Sequence, residues 1–250
     1  MEMKPHIVYH TILEAQAKRK TLLAVLLDPD KVDMSQELIT HLLHPEPIAR
    51  PDLIFIGGST ASSSESLVRF IKHHTTIPVV LFPGNPKQFT PQADALLFLS
   101  LLNSTNHELL IGQHIQVAQQ VHQSGIEVLP MGYILVDGGN QTSVVQVTHA
   151  TPLANTDGAQ IAQYALAAQL LGKQLVYLEA GSGARTPIPP STIQHVRKTL
   201  SIPLIVGGGI DTIERMQTAA AAGADVVVIG NYFEHNPQLI PHFAKVLHQS

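Results

Sequence analysis

Two acidic residues and three glycine-bearing stretches hold most of the chemistry this 250-residue chain can offer. Residues 177–183, "YLEAGSG", set a single carboxylate, Glu179, between an apolar run and a glycine loop made by Ala180, Gly181, Ser182 and Gly183. Gly208 and Gly209 sit in "GGGI" (207–210), just before a helix expected to open at Asp211 and Thr212. Gly230 and Asn231 close a further apolar run. Glycine lets the backbone come close to a ligand, and free amides donate to an anion without help from Lys or Arg. One such loop would be weak evidence, because glycine also ends strands for steric reasons. Three of them, after the last three apolar runs, predict a phosphate site centred on Gly208, Gly209, Gly230 and Asn231.

Strand alternation puts Tyr177 and Glu179 on one face and Val176 and Leu178 on the other. If the first pair faces inward, Glu179 reaches whatever is held through its phosphate, while the amides of residues 181–183 hold the phosphate further out. A carboxylate so placed accepts hydrogen bonds from hydroxyls and can take up a proton. The pattern reads as a site for a small phosphorylated polyol. The bland alternative is a buried strand-end glutamate paired with Arg185 or Lys173.

A second acidic position ends the first apolar run. "LLDPDK" (26–31) carries Asp28 in phase with Ala24 and Leu26, taken as inward, and "GGS" ends the next run at Ser59. A carboxylate and a hydroxyl at adjacent strand ends suit Mg²⁺, a hard cation that takes one or two protein carboxylates and shares its other positions with water and phosphates. The alternative is that Asp28 or Asp30 caps the turn and Lys31 balances it.

These residues need a scaffold that gathers strand ends. Short Val/Leu/Ile runs recur at 21–30, 52–59, 78–84, 93–100, 127–136, 175–183, 203–210 and 225–231, as expected of parallel strands buried on both faces. Helical spacing fills the gaps, with Leu67, Phe70, Ile71 and His74 on one stripe. Long candidates lie at 105–123 and 157–171, and a further segment opens on Asp211 as its cap and closes at Gly223. Only "NPKQFTPQA", with two prolines, joins the third run to the fourth, so no full helix is expected there. The pattern predicts one domain over residues 1–250, a single (β/α)8 TIM barrel with an irregular third crossover. An open doubly wound sheet is the alternative.

Composition narrows the rest. Hydrophobic residues make up 44% and charged ones 14%, the mark of a large buried core. A net charge of −4 with 15 Lys+Arg and no basic run argues against nucleic acid as a partner. Without cysteine there is no disulfide and no thiolate nucleophile, and the 14 histidines form no HExxH-like pair. The polar start lacks a signal-peptide core, and no apolar run reaches the roughly 20 residues of a membrane span. A soluble, cytoplasmic protein is expected.

Taken in order, "LLDPDK", "IGGS", "LLNS", "GYIL", "YLEAGSGA", "VGGGI" and "VVVIGN" resemble the geranylgeranylglyceryl phosphate synthase family, which includes the heptaprenylglyceryl phosphate synthases. The resemblance spans nearly the whole chain, and the "YLEAGSGA" loop is similar to that of the archaeal and Bacteroidetes-like branch. It implies transfer of a polyprenyl group from its diphosphate to the 3-hydroxyl of sn-glycerol 1-phosphate. By the same resemblance Asp28 and Ser59 match the Mg²⁺ positions. Tyr177, Leu178, Glu179, Ala180, Gly181, Ser182 and Gly183 match the glycerol-phosphate loop, joined by Gly208, Gly209, Gly230 and Asn231. Glu179 matches the residue that orients or deprotonates the acceptor hydroxyl, and the family's altered third helix matches the broken crossover. Leu26 stands where part of the family has an acceptor-binding lysine, so geranylgeranyl is the expected donor rather than heptaprenyl. "LFLSLL" (97–102), the 105–123 helix and "GYILV" are candidates for lining the groove of the prenyl tail. A symmetric homo-oligomer and transient contact with a membrane surface are expected. The rival readings are another phosphate-binding barrel enzyme (an isomerase, an aldolase or a thiamine-phosphate-synthase-like transferase) or a non-catalytic prenyl-lipid or phosphate binder. An aldolase would need a lysine at a strand end, and none is there.

Overall fold

The structure, a computed structural model, describes residues 7–58, 63–148 and 150–249. Ser59, expected at the metal site, lies outside them. The apolar runs form β1 (Leu22–Leu27), β2 (Leu53–Ile56), β3 (Val79–Leu81), β4 (Ala95–Leu101), β5 (Glu127–Leu135), β6 (Leu175–Glu179), β7 (Leu204–Gly207) and β8 (Val226–Ile229). Each pairs in parallel with the next, and β8 returns to β1 in the register Val25↔Ile229, so the sheet closes. This is the expected (β/α)8 barrel, and closure excludes the open sheet.

Alternation along the strands makes two apolar layers. Ala24, Phe55, Val80, Leu97, Met131, Tyr177 and Val228 point inward, and Val25, Ile54, Val176 and Leu178 pack outward under the helices. The helical layer comprises α1 (Ile7–Ala17), α2 (Gln36–Leu42), α3 (Glu65–His74), α4 (Gln113–Ser124), α5 (Ser143–Thr148), α6 (Gly158–Leu170), α7 (Pro190–Thr199), α8 (Ile213–Ala221), α9 (Asn231–His235) and α10 (Ile240–His248).

Four local outcomes refine the sequence pattern. The third crossover holds a single turn, Pro86–Gln88, in place of a helix. The buried Gln88 side chain fills that role by accepting from Gly84 N–H (3.1 Å) and donating to the Gly58 carbonyl (2.7 Å). The expected 105–123 helix begins as a wide π-type turn at Glu108–Gly112 before α4 starts. Thr212, not Asp211, caps α8: its hydroxyl accepts from Arg215 N–H, and Asp211 instead pairs with the Arg215 side chain. The fourth, α1, has no counterpart in the pattern of strands. It stoppers the N-terminal end of the barrel, where Val8 and Ile12 join the interior layer and the Glu127 carboxylate accepts from Val8 N–H (2.9 Å) and Tyr9 N–H (2.8 Å).

At the chain's far end His248 holds α10 to the barrel floor. Nδ1 lies 2.8 Å from the Ile48 carbonyl and Nε2 2.9 Å from the Asp52 carboxylate, which also accepts from Leu23 N–H. Both neighbours are acceptors, so the doubly protonated ring satisfies them best, and the hydrogen bond to Asp52 raises the His248 pKa. The stabilisation is therefore complete below the ordinary histidine range and fades as pH rises through the raised value. His248→Ala should cost about 1 kcal/mol at pH 5.5 and less at pH 8.5, measured by urea unfolding; an equal cost at both pH values would refute the charged contact.

Candidate active site

All three glycine stretches reach the C-terminal rim of the barrel, the end at which active sites of this fold sit. There Tyr177, Glu179, Gly181, Ser182, Gly183, Gly208, Gly209, Gly230 and Asn231 line one polar cup of about 270 Å³, with Asp211 at its edge. The backbone of the cup requires glycine. Gly181 (φ +101°), Gly183 (+73°), Gly208 (+87°) and Gly209 (+69°) all have positive φ, a conformation costly for other residues. A Cβ on Gly208 would strike the Glu179 carboxylate and Gly181 N at 2.6 Å. The amides of Ser182, Gly183, Gly208 and Gly209 bond to no other described backbone group, which leaves them to a ligand. Leu178 and Ala180 do not line the cup; their side chains lie in the outer apolar layer.

The segment after β5 fastens this loop from behind. Asn140 Oδ1 accepts from Arg185 N–H (2.8 Å), and its Nδ2 donates to the Gly183 carbonyl (3.1 Å). The Gly138 carbonyl accepts from the amides of Arg185 and Thr186, both at 3.0 Å. Asn103 of "LLNS" does a similar job at the end of β4, with bonds to both backbone groups of Leu135 and to the Thr151 carbonyl.

Beside the cup lies a second chamber of about 270 Å³, mostly apolar, walled by Phe82, Leu99, Leu101, Leu109, Tyr133 and by Val144 and Val147 of α5. Leu26, Glu179, Ser182 and Asn231 border both spaces. The chamber shares Pro83, Leu99 and Gln113 with a groove over β4 floored by Phe89, Phe98, His114 and Val117, left uncovered where the third crossover has no full helix. Of the candidate groove segments, residues 97–102, the 105–123 stretch and "GYILV" all contribute. Phe82, the inward residue two beyond Val80, and α5 were not singled out from the sequence.

Glu179 stands at the junction. It is 6% exposed and has no ion-pair partner among the described residues, so the expected alternative partners, Arg185 and Lys173, are elsewhere; Lys173 donates to Ser100 Oγ. Burial pushes its pKa up to about 7, against the Gly181 N–H that donates to Oε1 (2.6 Å) and the nearby Tyr177 hydroxyl. Tyr177 stacks on Phe82 (5.3 Å between rings) and tilts against Tyr133 at the same distance, and burial keeps both phenols protonated.

Asp28 lies on the opposite wall, where its contacts are those of the turn reading. It caps its own turn, with Oδ1 accepting from Asp30 N–H (3.1 Å), and it pairs with Lys31, Nζ to Oδ2 at 3.1 Å. It also lines the apolar chamber, and Gly58 makes room for it: a Cβ there would overlap the carboxylate. A further carboxylate escaped the sequence reading. Glu234 of α9, three residues after Asn231, accepts from Asp28 N–H (3.3 Å) and reaches Lys31 at 3.7 Å. Burial raises its pKa, while Lys31 pulls it down. The only sequence signal was its place one helical turn beyond Asn231.

A closed parallel barrel, with a glycine-built polar cup joined to an apolar chamber at a buried glutamate, defines a (β/α)8-barrel enzyme with its site at the strand ends. Residues 15–247 match the PcrB family, and the chain belongs to that family. It is 45% identical over 230 residues to the geranylgeranylglyceryl phosphate synthase of Zunongwangia profunda, covering 91% of this chain and 97% of that one. The synthase of the same name from Thermococcus kodakarensis is 43% identical over 227 residues, 90% of this chain and 88% of its own. Among solved structures, the (S)-3-O-geranylgeranylglyceryl phosphate synthase of Thermoplasma acidophilum in complex with sn-glycerol-1-phosphate superposes with a TM-score of 0.88. It is 32% identical and the match covers 97% of this chain and 99% of that one.

The crowding at the cup separates two glycines. Gly183 has open space where a Cβ would go, so Gly183→Ala should cost only the φ penalty, about 1 kcal/mol. Gly208→Ala adds collisions with Glu179 and Gly181 and should cost about 2–3 kcal/mol. Urea unfolding of the two variants checks the order; equal losses would mean that the cup yields freely.

Proposed function

We propose that this chain transfers a geranylgeranyl group from its diphosphate to the 3-hydroxyl of sn-glycerol 1-phosphate, giving an ether-lipid precursor and diphosphate. The observation that carries the reading is the position of Glu179, the buried carboxylate at the one border between a cup of backbone donors and an apolar chamber. The family membership and the names of the relatives support the same reaction.

In this reading the amides of Gly183, Gly208 and Gly209 and the Gly230–Asn231 turn hold the acceptor phosphate, and Ser182 borders it. Tyr177 and Glu179 face the polyol. The isoprenoid tail lies in the apolar chamber and leaves through the groove over β4. Leu26 between the two spaces is apolar, so it cannot bond the acceptor as a lysine would. The strand ends thus hold hydroxyl and allylic carbon together, which removes much of the entropic barrier. The Phe82 and Tyr133 rings line the space where allylic positive charge would develop. Glu179, with a pKa near 7 and no cation beside it, accepts the hydroxyl proton as the ether bond forms and the diphosphate leaves.

Asp28 fits an Mg²⁺ partner: an oxygen donor on the chamber wall, with space kept by Gly58, and with Ser59 as its expected companion from the sequence. Mg²⁺ bound there would neutralise the diphosphate as a leaving group. Among the described residues no group of three or more His, Asp or Glu side chains forms a metal cluster. Exposed Ile111, Ile115, Leu170 and Leu171 support a homo-oligomer or transient contact with a membrane surface, and no described helix is long and apolar enough to cross a membrane.

Assay of the purified protein with sn-glycerol 1-phosphate and donors of increasing length tests the proposal; no product with any donor would overturn it. Because the proton acceptor must be ionised, kcat/KM should rise with pH through about 7 and level off above. Glu179→Gln should keep glycerol-phosphate affinity within a few-fold, lose turnover by about 10²–10⁴ and lose that pH limb; near-normal turnover would remove Glu179 as the base. Asp28→Asn should raise the Mg²⁺ concentration needed for half-maximal rate by about tenfold or more, and an unchanged requirement would move the cation elsewhere.

A further inference from the structure

The two spaces of the site must accommodate a phosphate and a diphosphate, yet among the described residues lining them the only lysine or arginine is Lys31. Four carboxylates, Asp28, Glu179, Asp211 and Glu234, border the same spaces. The acceptor phosphate has its glycine cup, while the described lining of the apolar chamber holds no comparable run of positive-φ glycines for the diphosphate.

Lys31 is already engaged. Its ammonium lies 3.1 Å from Asp28 Oδ2 and 3.7 Å from Glu234 Oε2, so it bridges carboxylates brought in by β1 and α9. The Glu234 side chain is 6% exposed, and among the described residues its Oε2 has no hydrogen bond, only this long ion pair. Lys31, by contrast, is about half exposed on a flexible stem and can turn away at little steric cost. A buried carboxylate oxygen with an incomplete partner set, facing Asp28 across a mobile ammonium, is arranged to exchange one cation for another.

We infer that Lys31 is a built-in counter-ion of the Asp28–Glu234 pair which gives up that place to a divalent cation when the donor arrives, and then binds the donor's diphosphate through its ammonium. This rests on the proposed cation role of Asp28 and extends it to two residues, a displaced lysine and a second carboxylate. Exchange makes cation and diphosphate bind together: the free site resists a divalent ion because its own lysine occupies it, and the lysine becomes available to phosphate oxygens once the ion is in. No bond is made or broken in the exchange. It fits the chemistry of the site, since two carboxylates without a cation would repel a diphosphate.

The test is binding, without turnover. Mn²⁺ affinity is read by electron paramagnetic resonance on the donor-free full-length protein, and inorganic pyrophosphate affinity by calorimetry with Mg²⁺ or with chelator. Lys31→Met should tighten Mn²⁺ binding about tenfold and weaken pyrophosphate binding about tenfold, whereas Lys31→Arg should keep pyrophosphate affinity near that of the wild type. Glu234→Gln should weaken Mn²⁺ binding without loss of the folded circular-dichroism signal, and wild-type Mn²⁺ binding should tighten when pyrophosphate is present. Unchanged Mn²⁺ and pyrophosphate affinities in Lys31→Met would overturn the inference. So would a Glu234→Gln variant with wild-type Mn²⁺ affinity. If no Mn²⁺ binds any form, with or without pyrophosphate, both the exchange and the cation reading of Asp28 fail, while the prenyl-transfer reading, tested by product formation, is untouched.

Discussion

A carboxylate buried without a counter-cation is expensive to ionise, and Glu179 is such a group at the centre of this barrel. The surroundings hold it at the edge of ionisation rather than forcing it fully either way. One short hydrogen bond from Gly181 and the adjacent Tyr177 hydroxyl favour the charged form, and burial opposes it. Much of the rim follows from that balance. Gly208 must lack a side chain so that the carboxylate and the Gly181 amide can meet, and Gly181 must take a positive φ to turn its amide back. Phe82, Tyr133 and Tyr177 pack ring against ring beside the carboxylate, the Phe82–Tyr177 pair stacked and the other two pairs tilted.

Rigidity around that point comes from hydrogen bonds to the backbone, several of them from asparagine side chains, rather than from ion pairs. Asn140 and Gly138 fix the loop after β6 to the loop after β5, and Asn103 ties β4 to β5 just below. Amides held in this way can aim at an anion with little reorganisation, a means open to a chain with few basic residues. Across the chamber the arrangement is different. Asp28, Glu234 and Lys31 form an ion-paired group whose lysine is half exposed, on the chamber wall. The site thus divides into a fixed polar half and an adjustable ionic half, with an apolar chamber between them.

The irregular third crossover has a functional side as well. A full helix over β3 and β4 would cover the groove lined by Phe89, Phe98 and Val117. The short Pro86–Gln88 turn leaves it open, and Gln88 replaces the helix's bonding with two hydrogen bonds to neighbouring loops. The prolines that make a helix impossible there are visible in the sequence; the stitch made by Gln88 is not.

The sequence by itself determined the eight parallel strands and their order, the shared face of Tyr177 and Glu179, and the placing of glycine loops after the last three strands. Each of these follows from local rules: period-two alternation, the glycine requirement at positive φ, and one direction for every strand of a parallel barrel. It left Asp28 open between turn cap and ligand, and the structure shows the cap, with Oδ1 taken by the Asp30 amide and Oδ2 by Lys31. The helix cap at Thr212 instead of Asp211 is a one-residue matter of which side chain meets a free amide. What only the tertiary structure decided is who stands beside whom across the barrel. Glu234 comes to Asp28 across 206 residues of chain, and the α1 stopper meets Glu127 across 119. Glu179 is left without Arg185 or Lys173. Such pairings depend on how strand stagger and helix packing bring distant segments together, and no local pattern of residues encodes that distance.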